Sequence, residues 1–142
     1  MSTEENKAMV RRHFDEFWNQ AKLDVADEIH AADYDFHEQA NPVIHGSEAY
    51  NQFAAMYLAG FPDLHFTAED LITEGDKVIV RWLCTGTHQG EFVGIPATGK
   101  SVTTTGISIF RCAGAKIAEE WVNWSTLGML QQLGVIPPLG EG

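Results

Sequence analysis

The chain has 142 residues, 44% of them hydrophobic and 11% aromatic, which is enough for one core in one domain over residues 1–142 and too apolar for global disorder. Nine Lys and Arg against twenty Asp and Glu give a net charge of −11; such a surface repels phosphates, so nucleic acid and anionic membranes are excluded as expected partners. No apolar run approaches the ~20 residues of a membrane-spanning helix, and the acidic opening Ser2-Thr3-Glu4-Glu5-Asn6 has no signal-peptide core, so the expected compartment is the cytoplasm.

A first helix opens with Ser2 and Glu5 at the spacing of a capping box. Met9, Val10, Phe14, Phe17 and Trp18 then recur at near-helical spacing, leaving Lys7, Arg11, Arg12 and Asp15 outside. A shorter helix is expected from Leu23 to His30, and Tyr34 and Phe36 suggest a brief strand. Gly46-Ser47 begins another helix, with Ser47 as the expected N-cap and Tyr50, Phe53, Ala54, Tyr57 and Leu58 on its apolar face. Gly60 and Pro62 end it.

From Leu64 to Trp124 the pattern is β. Strands are expected at Leu64–Thr73, Val78–Thr87, Val102–Cys112 and Lys116–Trp124, separated by Gly75-Asp76, the breaker-rich segment Val93–Lys100, and Ala113-Gly114-Ala115-Lys116. The short turns imply antiparallel neighbours. Helices followed by a strand meander indicate an α+β fold. The chain has no repeat, linker or low-complexity tract.

Ile117-Ala-Glu-Glu-Trp-Val-Asn-Trp-Ser125-Thr-Leu-Gly-Met-Leu-Gln-Gln-Leu-Gly134 is a strand running directly into a short helix. Together with Phe61-Pro-Asp-Leu-His65, Gly75-Asp-Lys-Val78, Gly86-Thr-His-Gln-Gly-Glu-Phe92 and Gly94-Ile-Pro-Ala-Thr-Gly-Lys100, in that order and spacing, it resembles the SnoaL-like polyketide cyclases, also called ester cyclases. The resemblance covers nearly the whole chain. It implies the cone-shaped barrel of nuclear transport factor 2 and ketosteroid isomerase, in which N-terminal helices close a curved antiparallel sheet around a pocket. It also implies an intramolecular aldol closure: a base removes a proton beside a carbonyl and the enolate attacks a second carbonyl, with no cofactor or metal. The family's base is usually an aspartate at the junction between this last strand and helix, where Ser125 stands here.

Strand alternation together with that family position assigns side chains to the pocket. Glu119, Trp121, Asn123 and Ser125 share one face of the last strand, Ser108 lies with Thr104, Gly106 and Phe110, and Val80, Trp82, Cys84, Gly86 and His88 share a third. The catalytic candidates are Ser125, by its family position, and His88, an imidazole able to act as base near neutral pH. The bland alternatives are a pocket-lining hydroxyl for Ser125 and a strand-end hydrogen bond for His88. Trp121, Asn123, Ser108, Trp82, Phe17 and Tyr57 are expected to contact ligand, and the aromatic content favours a small, flat, apolar carbonyl compound, polycyclic ones included. The six histidines form no metal-ligand spacing, so no metal site is expected, and Cys84 and Cys112 read as buried free thiols. Three readings follow: an enzyme of enolate chemistry, a binding module that lost catalysis with the aspartate, or a scaffold that self-associates as a homodimer or higher oligomer through its exposed sheet face.

Overall fold

The computed structural model describes residues 2–138 and 140. Helix α1 spans Thr3–Arg12. Its capping box is formed as expected: Ser2 Oγ accepts from the Glu5 amide at 3.1 Å, and the Ser2 amide donates to Glu5 Oε1 at 3.3 Å. The expected continuous helix changes character at His13. Residues His13–Trp18 form a π-helical turn, closed by the Asn19 amide donating to the Phe14 carbonyl at 2.9 Å, and its His13, Phe14, Phe17 and Trp18 are all buried. Such widened turns concentrate at functional sites.

The second expected helix is a 3₁₀ turn, Leu23–Val25, followed by the short α2, Ala26–Ile29. His30, expected at its end, instead opens strand β1, His30–Glu38, which is longer than the brief strand expected. A two-residue strand β2, Ile44–His45, follows. Helix α3 spans Ser47–Gly60; its N-cap is Gly46 at φ 91°, not Ser47, with no side-chain cap bond. Then come β3, His65–Glu74, β4, Lys77–Thr87, β5, Ser101–Ala113, β6, Lys116–Trp124, and helix α4, Thr126–Gln132.

The six strands form one curved sheet in the order β2-β1-β6-β5-β4-β3. It remains open, with β2 and β3 as edges, so the expected cone is not closed into a barrel. The β3 to β6 meander is antiparallel as expected, but β1 lies parallel to β6, pairing Phe36 with Glu120 and Glu38 with Val122. A parallel neighbour needs a crossover, and here the whole α3–β5 segment lies between the two strands in sequence.

The apolar stripe of α1 and the π-helical turn packs against β3 and β4. It belongs to a large core with Tyr34, Phe36, Tyr50, Val78, Val80, Trp82, Phe110 and Ile117. A second, smaller cluster joins Phe61, Phe92, Val102, Met129 and Leu133. Cys84 and Cys112 are buried free thiols. Among the described residues no helix is long and apolar enough to cross a membrane.

Gly106 has a specific packing role. It pairs with Trp82 across β4 and β5, and a Cβ added there would fall 2.3 Å from Trp82 Cζ2. The missing side chain lets the indole lie flat over β5 and donate from Nε1 to Ser108 Oγ at 3.0 Å. Gly106→Ala is expected to destabilise the protein by about 1–3 kcal/mol through overpacking. Chemical denaturation of the variant beside the wild type checks this; equal midpoints and slopes would show that the indole moves aside freely.

Candidate functional site: an apolar cavity holding a carboxyl

Where the two clusters meet, a cavity opens. Its empty space is about 700 Å³, solvent at the open mouth included. Phe14 and Trp18 line it from the π-helical turn, Tyr50, Phe53 and Tyr57 from α3, and Trp82 and Cys84 from β4. Phe61, Val102 and Met129 belong to the second cluster. Almost all of this surface is carbon, and its burial pushes the Cys84 thiol up to about 12 and the Tyr57 phenol well above its usual range.

Into this lining the sheet delivers two carboxylates and an imidazole: Glu120 of β6, Glu38 of β1 and His13. Glu120 is 4% exposed, and its cross-strand partners are both phenyls, Phe36 and Phe110. No Lys or Arg pairs with it among the described residues. The Tyr34 hydroxyl donates to Oε1 at 2.5 Å, and His13 Nε2 lies 3.8 Å from the same oxygen. Burial raises the Glu120 carboxyl to about 7, opposed by hydrogen bonding from Tyr34, Ser108 and Tyr50, with Glu38 adding a smaller push upward. Trp18 Nε1 donates to the Tyr50 hydroxyl at 3.2 Å, fixing that phenol beside the group. Glu38 is satisfied differently. Trp124 Nε1 donates to its Oε2 at 2.6 Å, and Asn41 Nδ2 donates to Oε1.

The sequence-based assignments divide. Trp82, Ser108 and Tyr57 line the cavity. Phe17 does not: it is fully buried one layer behind, stacked on His13 with 5.8 Å between ring centroids. Trp121 and Asn123 are on the opposite face of the sheet, where Trp121 stacks on His37. The cavity face of β6 is Glu120, Val122 and Trp124, the reverse of the expected parity. The expected parity is anchored on Ser125, which stands past the end of β6 as the cap of α4 and does not continue the strand's alternation; separately, a β-bulge, where Cys112 pairs with Ile117 but Arg111 with Glu119, makes Ala118 an extra residue and flips the alternation beyond it.

Ser125 lies past the end of β6. It is the N-cap of α4, exposed, and its Oγ accepts from the Gly128 amide at 2.9 Å. It borders an outer cleft with Gln39 and Thr126, which adjoins the cavity at Glu38, Val122 and Trp124, residues that line both. His88 is buried and stacked on Phe61, outside the cavity lining. Its Nδ1 accepts from the Thr98 amide at 3.2 Å and lies 3.0 Å from Thr98 Oγ1, tying down the 88–100 loop.

Sequence reasoning missed Glu120, Glu38 and His13. A glutamate in an apolar strand beside Val122 and Trp124 was a usable signal, masked by anchoring the pocket face on Ser125. His13 stood next to Phe14 at the helical spacing of the core. Among the described residues no group of three or more His, Cys, Asp or Glu is placed to hold a metal ion.

A curved six-stranded sheet with helices packed against it is an α+β fold of the nuclear transport factor 2 and ketosteroid isomerase type. Within that class the chain belongs to the SnoaL-like polyketide cyclase family, which it matches over residues 8–133. A protein from Jannaschia sp. CCS1, provisionally described as a SnoaL-like polyketide cyclase, is 28% identical, with a TM-score of 0.87 over 97% of this chain and 98% of that one. AclR from Streptomyces galilaeus, provisionally described as a hydroxylase, is 26% identical, with a TM-score of 0.85 over 99% of this chain and 87% of that one. A protein from Catenulispora acidiphila with a ketosteroid isomerase-like fold, solved with trimethylamine, shares the fold at 18% identity and a TM-score of 0.77 over 90% of this chain and 93% of that one. No curated protein matches the chain.

The Glu120 carboxyl, raised from 4.5 to about 7, binds more protons in the folded than in the unfolded chain between those values, so its contribution to stability falls as pH rises through that window. Buried His13 and His30 act in the opposite sense, since both are depressed below 6.5 and oppose folding as pH falls. The Glu120 part is isolated by difference. Glu120→Gln is expected to gain on the order of 3 kcal/mol relative to wild type between pH 4.5 and pH 8. Denaturant titrations of both proteins across that range measure it; a constant difference would mean that Glu120 ionises freely.

Proposed function

We propose that the protein binds a small, flat, enolisable carbonyl compound in the cavity and that Glu120 is the base acting on it. The observation that carries this reading is a carboxyl buried without a cationic partner among the described residues, on the wall of an apolar cavity, a setting that raises it to about 7. A carboxylate of that basicity, stripped of water, is matched to proton abstraction beside a carbonyl at neutral pH. Its oxygen takes the proton, the C–H electron pair moves into the carbonyl, and an enolate forms. In an aldol closure the enolate carbon attacks a second carbonyl of the same molecule, and the Glu120 carboxylic acid returns its proton to the new alkoxide. In an isomerisation the proton returns to another carbon. The ligand's own π system spreads the charge, so neither route calls for a cofactor.

This assignment moves the basic role from the strand–helix junction to mid-strand. Ser125 becomes a helix cap beside the outer cleft, and His88 an anchor of the 88–100 loop. A second reading is supported by Ser125 itself, which replaces the family's usual aspartate: a module that binds its ligand without turning it over. The two separate in one experiment. 1-Tetralone, an enolisable aromatic ketone, is incubated with protein in D₂O and its α-deuteration followed by NMR. Glu120→Gln is expected to slow the protein-dependent exchange by about 10²–10⁴-fold, with Ser125→Ala and His88→Asn within a fewfold of wild type. Tetralone binding without protein-dependent exchange would favour the binding module.

Self-association belongs to the same proposal. On the outer sheet face Ile72, Ile79, Ile109 and Trp121 stand in one cross-strand row, with Ile72 60% and neighbouring Ile107 50% exposed. A second copy of the chain covers this surface in the proposed homodimer. Sedimentation velocity is expected to give a dimer for wild type and a monomer for Ile107→Lys; a wild-type monomer at tens of micromolar would remove the dimer from the proposal.

A further inference from the structure

A pair of histidines stands behind Glu120. His13, 1% exposed, and His30, 2% exposed, face each other with His13 Nδ1 2.8 Å from His30 Nε2. One of those nitrogens must donate and the other accept. His30 Nδ1, at the far side of its ring, is buried with no hydrogen-bond partner among the described residues. His13 Nε2, at the far side of the other ring, looks toward the cavity and Glu120 Oε1 at 3.8 Å, too long for a hydrogen bond.

Two tautomer arrangements are possible, and two independent contacts select the same one. If His13 Nδ1 carried the proton, His30 Nδ1–H would be an orphaned buried donor, the rarer and costlier defect. In that arrangement His13 Nε2 would also aim a lone pair at the ionised Glu120 oxygen. With the proton on His30 Nε2, His30 Nδ1 is merely a bare acceptor, and His13 presents Nε2–H to the cavity. Burial depresses both rings below the ordinary histidine range, His30 to about 3, so His13 is a neutral donor at pH 7.

We infer that His13 is a second catalytic group of the cavity, a neutral imidazole whose Nε2–H hydrogen-bonds the carbonyl oxygen of the ligand, and that His30 is the positioning residue that fixes its tautomer. The inference rests on the reading of Glu120 as the base. In an enolisable ketone the α-hydrogen and the carbonyl oxygen are on adjacent carbon centres, so a base and a donor must stand side by side. Glu120 Oε1 and His13 Nε2 do so, with a gap between them that no protein hydrogen bond fills. A neutral imidazole suits the donor role, because it strengthens its bond as negative charge moves onto the enolate oxygen and leaves Glu120 ionised. His13 itself is held edge-on to Phe110 and parallel to Phe17, which restrains the ring plane.

The test has one arm without ligand and one with it. Long-range ¹⁵N–¹H correlation at pH 7 is expected to show His13 and His30 neutral and protonated at Nε2. His30→Gln, which keeps a donor for His13 Nδ1, is expected to preserve the His13 pattern, and His30→Leu to mix its tautomers. A His13 protonated at Nδ1, or cationic at pH 7, overturns the inference without reference to any ligand. In the second arm the affinities of 1-tetralone and tetralin are compared, since they differ in the ketone oxygen. His13→Phe is expected to lower the ketone's advantage about five- to tenfold while leaving tetralin binding unchanged. In the wild type, tetralone but not tetralin is expected to shift the His13 Nε2–H resonance. An unaltered ratio in folded His13→Phe, or an unmoved resonance, overturns the donor role. Tetralone exchange that is indifferent to Glu120→Gln defeats the base assignment instead, and leaves the affinity ratio as a separate fact.

Discussion

The carboxyl of Glu120 is taken out of water without being given a cation, and the surrounding architecture answers to that. An isolated buried carboxylate is expensive; a protein tolerates one by protonating it or by surrounding it with donors. Here both devices operate. Tyr34 reaches across from β1, and Tyr50, Ser108 and His13 stand around the group from α3, β5 and the π-helical turn. Those donors are themselves held by indoles, Trp18 on Tyr50 and Trp82 on Ser108. The aromatic wealth of the chain therefore does two jobs: it fills the core, and it orients a set of hydroxyls around one oxygen pair.

The polar groups have a directional logic. Glu38 has its two oxygens occupied by Trp124 and Asn41 and stands at the boundary with the outer cleft. Glu120 sits deeper, between phenyls. Two carboxylates on adjacent strands thus have unlike surroundings, one tied by an indole and an amide at the cavity's edge and one set among phenyls in its interior.

Much of the fold was legible in the sequence. The capping box, the apolar spacing of Met9, Val10 and Phe14, and the breakers between β3 and β6 map directly onto local geometry. What failed were features decided by tertiary contact. Nothing local marks β1 as a partner of β6, nor His30 as the start of a strand. The site was harder to read, and for one reason above the rest. The pocket face of β6 was anchored on Ser125, which lies beyond the strand as the cap of α4 and is out of step with its alternation. Period-two reading carried back from Ser125 leads to Trp121 and Asn123, which are outside, and past Glu120, which is inside. Trp82 and Ser108, on strands paired without a shift over that stretch, were placed on the correct face by the same method.

The parallel pairing of β1 with β6 bears on when the cavity comes into existence. Tyr34 and Glu120 are 86 positions apart, and β6 is inserted between β1 and β5. Until then β1 has only the two-residue β2 beside it, and the wall carrying the carboxyl is missing. Such distant pairings form slowly, because the loop must close before any contact rewards it. The step that completes the sheet is also the step that desolvates the carboxyl. Glu120 is therefore desolvated only by contacts from both neighbours of β6, the Tyr34 and Phe36 side chains of β1 among them, so the basicity of the carboxyl is a property of the completed sheet and of no single hairpin.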